Sequence, residues 1–212
     1  MDALINSLAQ NYAAAFSEPE DALQAEVYAY TIQHHPHAHM LSGQVQGAFL
    51  SIISKLLQPK RVLEIGTFTG DSALCLAEGL ADDGILYALE ANDELEYLIK
   101  QSVEKSPSPD KIKLLIGNAL EIIPDLNETF DLVFIDAGKR DYPLYYDLVI
   151  DKVRRGGLII ADNILWSGKV VEEKKDIDTQ IIDTFNKKIH ADDRVENILL
   201  PIRDGLMMAR KK

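Results

Sequence analysis

The sequence predicts an α/β protein built on one sheet of mostly parallel strands, with helices on both faces and one reversed strand near the C-terminus. From Arg61 onward, short apolar runs alternate with longer amphipathic ones. The short runs are apolar throughout, so each strand is buried on both faces, as in a parallel sheet covered by helices. The last two runs, Val195–Ile202 and Leu206–Arg210, are separated only by Arg203-Asp204-Gly205. That connection suits an antiparallel hairpin and is too short for a parallel crossover.

The elements follow in order. The first forty residues read as helical, with Leu4, Ile5, Leu8 and Tyr12 at helical spacing. A second helix is expected after Ser17-Glu18-Pro19, where serine caps and proline suits the first turn, and Pro36 ends it. Gln44 to Leu57 reads as an amphipathic helix stopped by Gln58-Pro59. Strands are expected at Arg61–Gly66, Ile85–Glu90, Lys111–Gly117, Phe130–Asp136 and Gly157–Asp162. Helices are expected at Asp71–Leu80, Asp93–Glu104, Tyr142–Val153 and Asp178–His190.

Composition bounds the class. The 212 residues, 47% apolar, suffice for a single domain with one sizeable core. No run approaches the length of a membrane span, and Met1-Asp2-Ala3-Leu4 does not open a secretory leader. The single cysteine, Cys75, excludes an intramolecular disulfide; a reducing, cytoplasmic setting is expected. The net charge is −12, and no Lys or Arg precedes Lys55. That segment carries Asp2, Glu18, Glu20, Asp21 and Glu26, a solvated acidic face that a phosphate backbone would repel.

Val62-Leu63-Glu64-Ile65-Gly66-Thr67-Phe68-Thr69-Gly70 marks the first strand-to-helix turn. Gly66 permits a turn and close ligand approach, and Gly70 lets the helix start near the strand. Phe68 stands where a dinucleotide fingerprint has its middle glycine, so a nucleoside without a pyrophosphate fits better. Glu64 can accept from the ammonium of an amino-acid ligand. Glu90, ending the second strand, is placed for both ribose hydroxyls; alone it would read equally as a surface carboxylate. Asn118, beside Ala119, either approaches an adenine or serves as a turn residue.

Asp136 closes the fourth expected strand, and Asp162-Asn163 closes the fifth. Neighbouring strand ends open into one crevice and lie about 4.8 Å apart, so these side chains can converge on one ion. Two carboxylates and an amide oxygen suit Mg²⁺, Mn²⁺ or Ca²⁺ and suit zinc poorly. The alternative makes both aspartates ordinary strand-end caps. Lys139, three residues after Asp136, is a base in the same crevice or a solvated lysine. Trp166 either walls an aromatic acceptor or closes a core edge. His34, His35, His37 and His39 do not make a zinc site, since Pro36 breaks their spacing and no cysteine accompanies them. Cys75 falls on an apolar helical face and reads as a structural thiol.

These motifs resemble the cation-dependent O-methyltransferases of the caffeoyl-CoA and catechol type, including bacterial members. The likeness runs from about His35 to the C-terminus. It comprises Glu64–Gly70, Phe134-Ile135-Asp136-Ala137-Gly138-Lys139, Asp162-Asn163-Ile164-Leu165-Trp166-Ser167-Gly168 and Leu200-Pro201-Ile202-Arg203-Asp204-Gly205. The resemblance implies a Rossmann-like class I methyltransferase fold, with a seven-stranded sheet whose final hairpin supplies the reversed strand. It implies S-adenosylmethionine as cofactor, contacted by Met40, Ser42, Glu64, Gly66, Thr67, Ser72, Glu90, Ala119 and Asp136. It implies a divalent cation on Asp136, Asp162 and Asn163, with Lys139 as base. A homodimer is also implied; residues 1–57 are then expected to cover the site and form the dimer face, and residues 58–212 the core. Two positions depart from the plant caffeoyl-CoA enzymes: no early basic residue is present, and Ser167 replaces an asparagine.

The expected reaction is methyl transfer to a hydroxyl of a small catechol-like or phenolic molecule. A cation chelated by vicinal oxygens would acidify and orient that hydroxyl, and Lys139 would take its proton. A second class is tRNA hydroxyuridine methylation, for which Lys169, Lys174, Lys175, Lys187, Lys188 and Arg210-Lys211-Lys212 speak. The net charge and the acidic N-terminal segment speak against it. An NAD-binding oxidoreductase is disfavoured by the missing middle glycine.

Overall fold

The computed structural model describes residues 7–36 and 41–212; Leu4, Ile5, His37, His39 and Met40 lie outside the described residues. Three helices come first, α1 (Ser7–Ala15), α2 (Ala22–His34) and α3 (Gly43–Leu57). Alternating elements follow: β1 (Arg61–Ile65), α4 (Asp71–Ala77), β2 (Ile85–Glu90), α5 (Glu96–Glu104), β3 (Ile112–Ile116), α6 (Ala119–Asp125) and β4 (Phe130–Ile135). The chain ends with α7 (Tyr142–Ile150), β5 (Val153–Ala161), α8 (Ile177–His190), β6 (Val195–Leu200) and β7 (Leu206–Lys211). None of the described helices is long and apolar enough to cross a membrane.

The seven strands are ordered β3-β2-β1-β4-β5-β7-β6. All neighbouring pairs are parallel except those made by β7, which is antiparallel to both β5 and β6. The expected reversed strand is therefore β7, one place in from the edge. Strand residues divide between two cores by their period of two. Leu63, Ile65, Val133 and Ile135 pack with Tyr142, Tyr146 and Phe185 on one side. Val62, Leu132 and Phe134 pack with Leu50, Leu74 and Ile99 on the other. Glu64 shares the second face, which turns its carboxylate toward α4. Strand order reverses between β1 and β4, so the crevice opens at their carboxyl ends.

Several elements depart from expectation. Helix α2 starts at Ala22 because Asp21 forms a capping box with Gln24, whereas the Ser17 hydroxyl folds back onto the Ala13 carbonyl. Strand β5 starts at Val153, four residues early; Val153 is buried, but Arg154 and Arg155 are exposed, so the apolar run begins only later. Helix α6 was not expected, being seven residues long with Pro124 inside, and Asn118 caps it through Leu120 N–H.

Candidate active site

The turn after β1 is bound to β2, because Gly66 and Thr67 N–H both donate to Leu89 O, at 2.9 and 3.1 Å. Gly66 has φ +89°, and a Cβ there would lie 2.2 Å from the Asp136 carbonyl oxygen. The glycine is thus required by the close packing of this turn on the end of β4, beyond any need of a ligand. Glu90 accepts from Phe68 N–H at 2.8 Å and from Asn92 N–H at 2.9 Å, which fixes its carboxylate at the mouth of β2. Glu64 is fully buried. The Ser72 hydroxyl donates to its Oε1 at 2.5 Å, while Oε2 has no hydrogen-bond partner among the described residues. Burial pushes its pKa up to about 7; the Ser72 and Thr67 hydroxyls oppose the shift, and Asp136 and Glu90 add to it. The buried Thr67 hydroxyl lies near enough to Glu64 to lower its pKa but makes no well-formed hydrogen bond among the described residues.

The other half of the site forms where β4 and β5 end. Asp136 N–H donates to Ile65 O at 2.9 Å and Asp162 N–H to Ile135 O at 3.0 Å, so the two aspartates step across adjacent strands. Lys139 Nζ donates to Asp136 Oδ1 at 2.8 Å and to the Tyr142 hydroxyl at 2.6 Å. The Tyr142 hydroxyl lies 3.2 Å from Ile135 O and 3.1 Å from Asp162 O, so it ties both strand ends to the lysine. Asp162 is 2% exposed, with Oδ1 accepting from Asn163 N–H at 2.6 Å and Oδ2 from Gln46 Nε2 at 2.7 Å. Burial and then Asp136 push its pKa up to about 6, against Gln46 and Lys139.

The loop after β5 takes the left-handed backbone at Asn163, Trp166 and Ser167, an uncommon conformation for tryptophan. The β6–β7 turn secures it. Leu165 N–H donates to Asp204 O, Ser167 N–H to Asp204 Oδ1, and Arg203 reaches across to the Ser42 carbonyl. Two carboxylates and the Asn163 amide form a hard-oxygen set that fits a divalent cation by donor chemistry. Their mutual repulsion, visible at Asp162, is what such an ion would relieve. Among the described residues no three His, Cys, Asp or Glu side chains converge as a metal cluster, and this set has only two carboxylates.

One cavity of about 1360 Å³ joins both halves. Ser42, Gly66, Thr67, Ser72, Glu90, Ala119, Asp136, Lys139, Asp162, Asn163 and Trp166 all line it, with Asn118. Glu64 lies behind this wall and meets it through Ser72. Met40 falls outside the described residues. Cys75 is buried, its thiol pushed up chiefly by desolvation, and His34 is stacked on Tyr30. Sequence reasoning missed Gln46, Tyr142, Arg203 and Asp204 as parts of the site. Only Arg203-Asp204-Gly205 left a signal, as a short turn and as part of a motif of the family resemblance, with no role in the site attached to it.

Residues 14–212 match the family model described as O-methyltransferase. The chain is 36% identical over 189 residues to caffeoyl-CoA O-methyltransferase 1 of Eucalyptus globulus, covering 84% of this chain and 77% of that protein. Its structure is similar to the SAH-bound methyltransferase PaMTH1 of Podospora anserina, with TM-score 0.88, 27% identity, and 97% and 94% of the two chains covered. It is also similar to an O-methyltransferase of Bacillus cereus in complex with SAH, with TM-score 0.85, 28% identity, and 97% of each chain covered. With the crevice, the acidic strand ends and these likenesses in agreement, the chain belongs to the O-methyltransferase family that includes the caffeoyl-CoA enzymes.

Proposed function

We propose that this protein methylates a hydroxyl of a small catechol-like or phenolic molecule, with S-adenosylmethionine as donor and a divalent cation, Mg²⁺ before Mn²⁺ or Ca²⁺. The observation that carries this reading is the division of one cavity between a nucleoside-type half and an acidic half with a lysine. Glu90 suits the ribose hydroxyls, Ala119 and Asn118 the adenine, and the unpartnered Glu64 oxygen the ligand's ammonium. The sugar and amino-acid ends together orient the methyl-bearing sulfur toward the acidic half.

Asp136, Asp162 and Asn163 would hold the cation, which when bound acidifies and directs a coordinated hydroxyl. Lys139 Nζ takes the hydroxyl proton as the oxygen attacks the methyl carbon and the sulfonium leaves as a thioether. Asp136 and the Tyr142 hydroxyl are placed to hold the ammonium that results. Trp166, at the cavity wall, offers an apolar face to the acceptor ring.

A homodimer through the N-terminal helices accords with the exposed Leu8 and Tyr12 of α1 and Phe16 just after it. The free, buried Cys75 suits a cytoplasmic setting. RNA draws less support. Lys175 and Lys187 both bind Asp183, Lys188 binds Asp147, and Arg210 binds Glu196, which leaves little of that positive charge for phosphates.

Methyl transfer from S-adenosylmethionine to catechol tests the reading. EDTA should abolish the rate and Mg²⁺ or Mn²⁺ restore it, and Asp162→Ala should lose the metal-dependent rate while still binding the donor. Full activity in a demonstrably metal-free sample would refute the cation.

A further inference from the structure

Gln46 is a fully buried amide on α3, outside the set of groups assigned to the donor, cation or acceptor. Its Nε2 donates to Asp162 Oδ2 at 2.7 Å and lies 3.4 Å from the Ser42 hydroxyl. Among the described residues its buried Oε1 has no partner. The amide cannot turn over to relieve this, because Oε1 would then face the Asp162 carboxylate. A buried acceptor left unmade costs stability, and an apolar side chain of similar length would avoid that cost. What Gln46 does provide is the second of two hydrogen bonds on the Asp162 carboxylate. The first comes from the adjacent Asn163 N–H; Gln46 reaches from 116 residues away. Together they set the plane of the carboxylate.

The helix that carries Gln46 is itself bound to the rest of the N-terminal segment. Gln44 Nε2 donates to the Ala14, Ser17 and Glu18 carbonyls, and the Ser42 carbonyl accepts from Arg203. We infer that Gln46 is a positioning residue for the cation site: it fixes the carboxylate of Asp162 and so makes cation affinity depend on the seating of α3. This rests on the cation reading above. Ligands of metal ions are aimed by the groups that hydrogen-bond them, and loss of such a group typically weakens metal binding about 10–100-fold.

The test is direct Mn²⁺ binding, followed by the paramagnetic signal of the free ion, on the parent protein, Gln46→Leu, Gln46→Asn and Asp162→Ala. Both Gln46 variants should bind Mn²⁺ roughly 10–100-fold more weakly than the parent. S-adenosylmethionine affinity, measured by calorimetry in EDTA, should stay within about twofold, since metal-ligand support is not donor support. Should the leucine variant fail to fold, the shorter asparagine, which keeps a polar group and cannot reach Asp162, carries the comparison. Parent Mn²⁺ affinity in a folded Gln46 variant overturns the inference, as does a parallel loss of donor affinity, which would mean general damage. A parent protein that binds Mn²⁺ no better than Asp162→Ala would instead overturn the cation reading itself.

Discussion

A lysine held 2.8 Å from a carboxylate oxygen and 2.6 Å from a phenol is fixed in place before any acceptor arrives. Its phenol partner, Tyr142, is fully buried, with Phe185 edge-on at 5.2 Å between ring centroids. Lys139→Ala should lower the catalytic constant by roughly 10²–10⁴-fold, the span of general acid–base help. The deficit should shrink for acceptors of lower hydroxyl pKa, such as nitrocatechol, which need less help to ionise. A loss equal across all acceptors would point to positioning instead of proton transfer. Tyr142→Phe keeps the ring and its packing and removes one hydroxyl, so it should slow the reaction in the parent and add little in Lys139→Ala. Additive losses in the double variant would mean that the tyrosine acts apart from the lysine. Asp136, Asp162 and Lys139 were legible in the sequence because each stands at or just after the end of an apolar run, where a parallel sheet opens its crevice. Tyr142 and Gln46 were not legible. The partners of Tyr142 are carbonyls on two strands, and that of Gln46 is a carboxylate 116 residues away; no local pattern records either.

The elements were legible where hydrophobic pattern alone decides them, and ambiguous where one apolar run serves two purposes. Tyr142 to Val153 is such a run: α7 ends at Ile150, and Val153 already pairs with Phe130 in the sheet. The exposed Arg154 and Arg155, followed by Gly156, fell between the expected helix and strand because a strand entering at the sheet's rim need not be apolar. At the turn between β1 and α4, the sequence marked the right glycine for an incomplete reason. Gly66 is held at φ +89° with the Asp136 carbonyl where a Cβ would stand, so Gly66→Ala must strain the backbone and push β4's end away. The backbone conformation alone should cost about 1–3 kcal/mol in urea unfolding. The donor and cation halves should both weaken, because this turn and Asp136 bridge them. A stable variant with parent affinity for both ligands would show that the turn relaxes at no cost. Glu90→Ala acts one strand over and should weaken the donor by about 1.5–3 kcal/mol by calorimetry, the scale for hydrogen bonds to a charged group. Unchanged affinity would overturn the ribose assignment.

At the scale of the whole molecule, the carboxylates fall into two classes with opposite effects on stability. Glu78, Asp131 and Asp183 are held below the usual range by lysine, arginine and backbone donors, so their stabilisation is lost only in acid. Glu64 and Asp71 are pushed up to about 7 by burial. A carboxyl raised in the fold stabilises it fully below its unfolded pKa, and that contribution is lost as pH rises through the folded value. The ligand-free protein should therefore melt lower at about pH 8 than at about pH 5, with roughly 2–3 kcal/mol lost over that range for each of the two buried groups. Glu64→Gln should flatten part of that decline, since a neutral amide has no proton to lose. Donor binding should show the complementary dependence. An ammonium at Glu64 favours the ionised carboxylate, so S-adenosylmethionine affinity should rise as pH passes through about 7. It should fall again above about 7.7–8.0, where the α-amino group of the ligand loses its own proton. Calorimetry across that window should trace a maximum in the parent protein and no rising limb in Glu64→Gln. A parent affinity that does not change between about pH 5.5 and 7.5 would mean that Glu64 is already ionised in the empty site or does not meet the ammonium in the filled one.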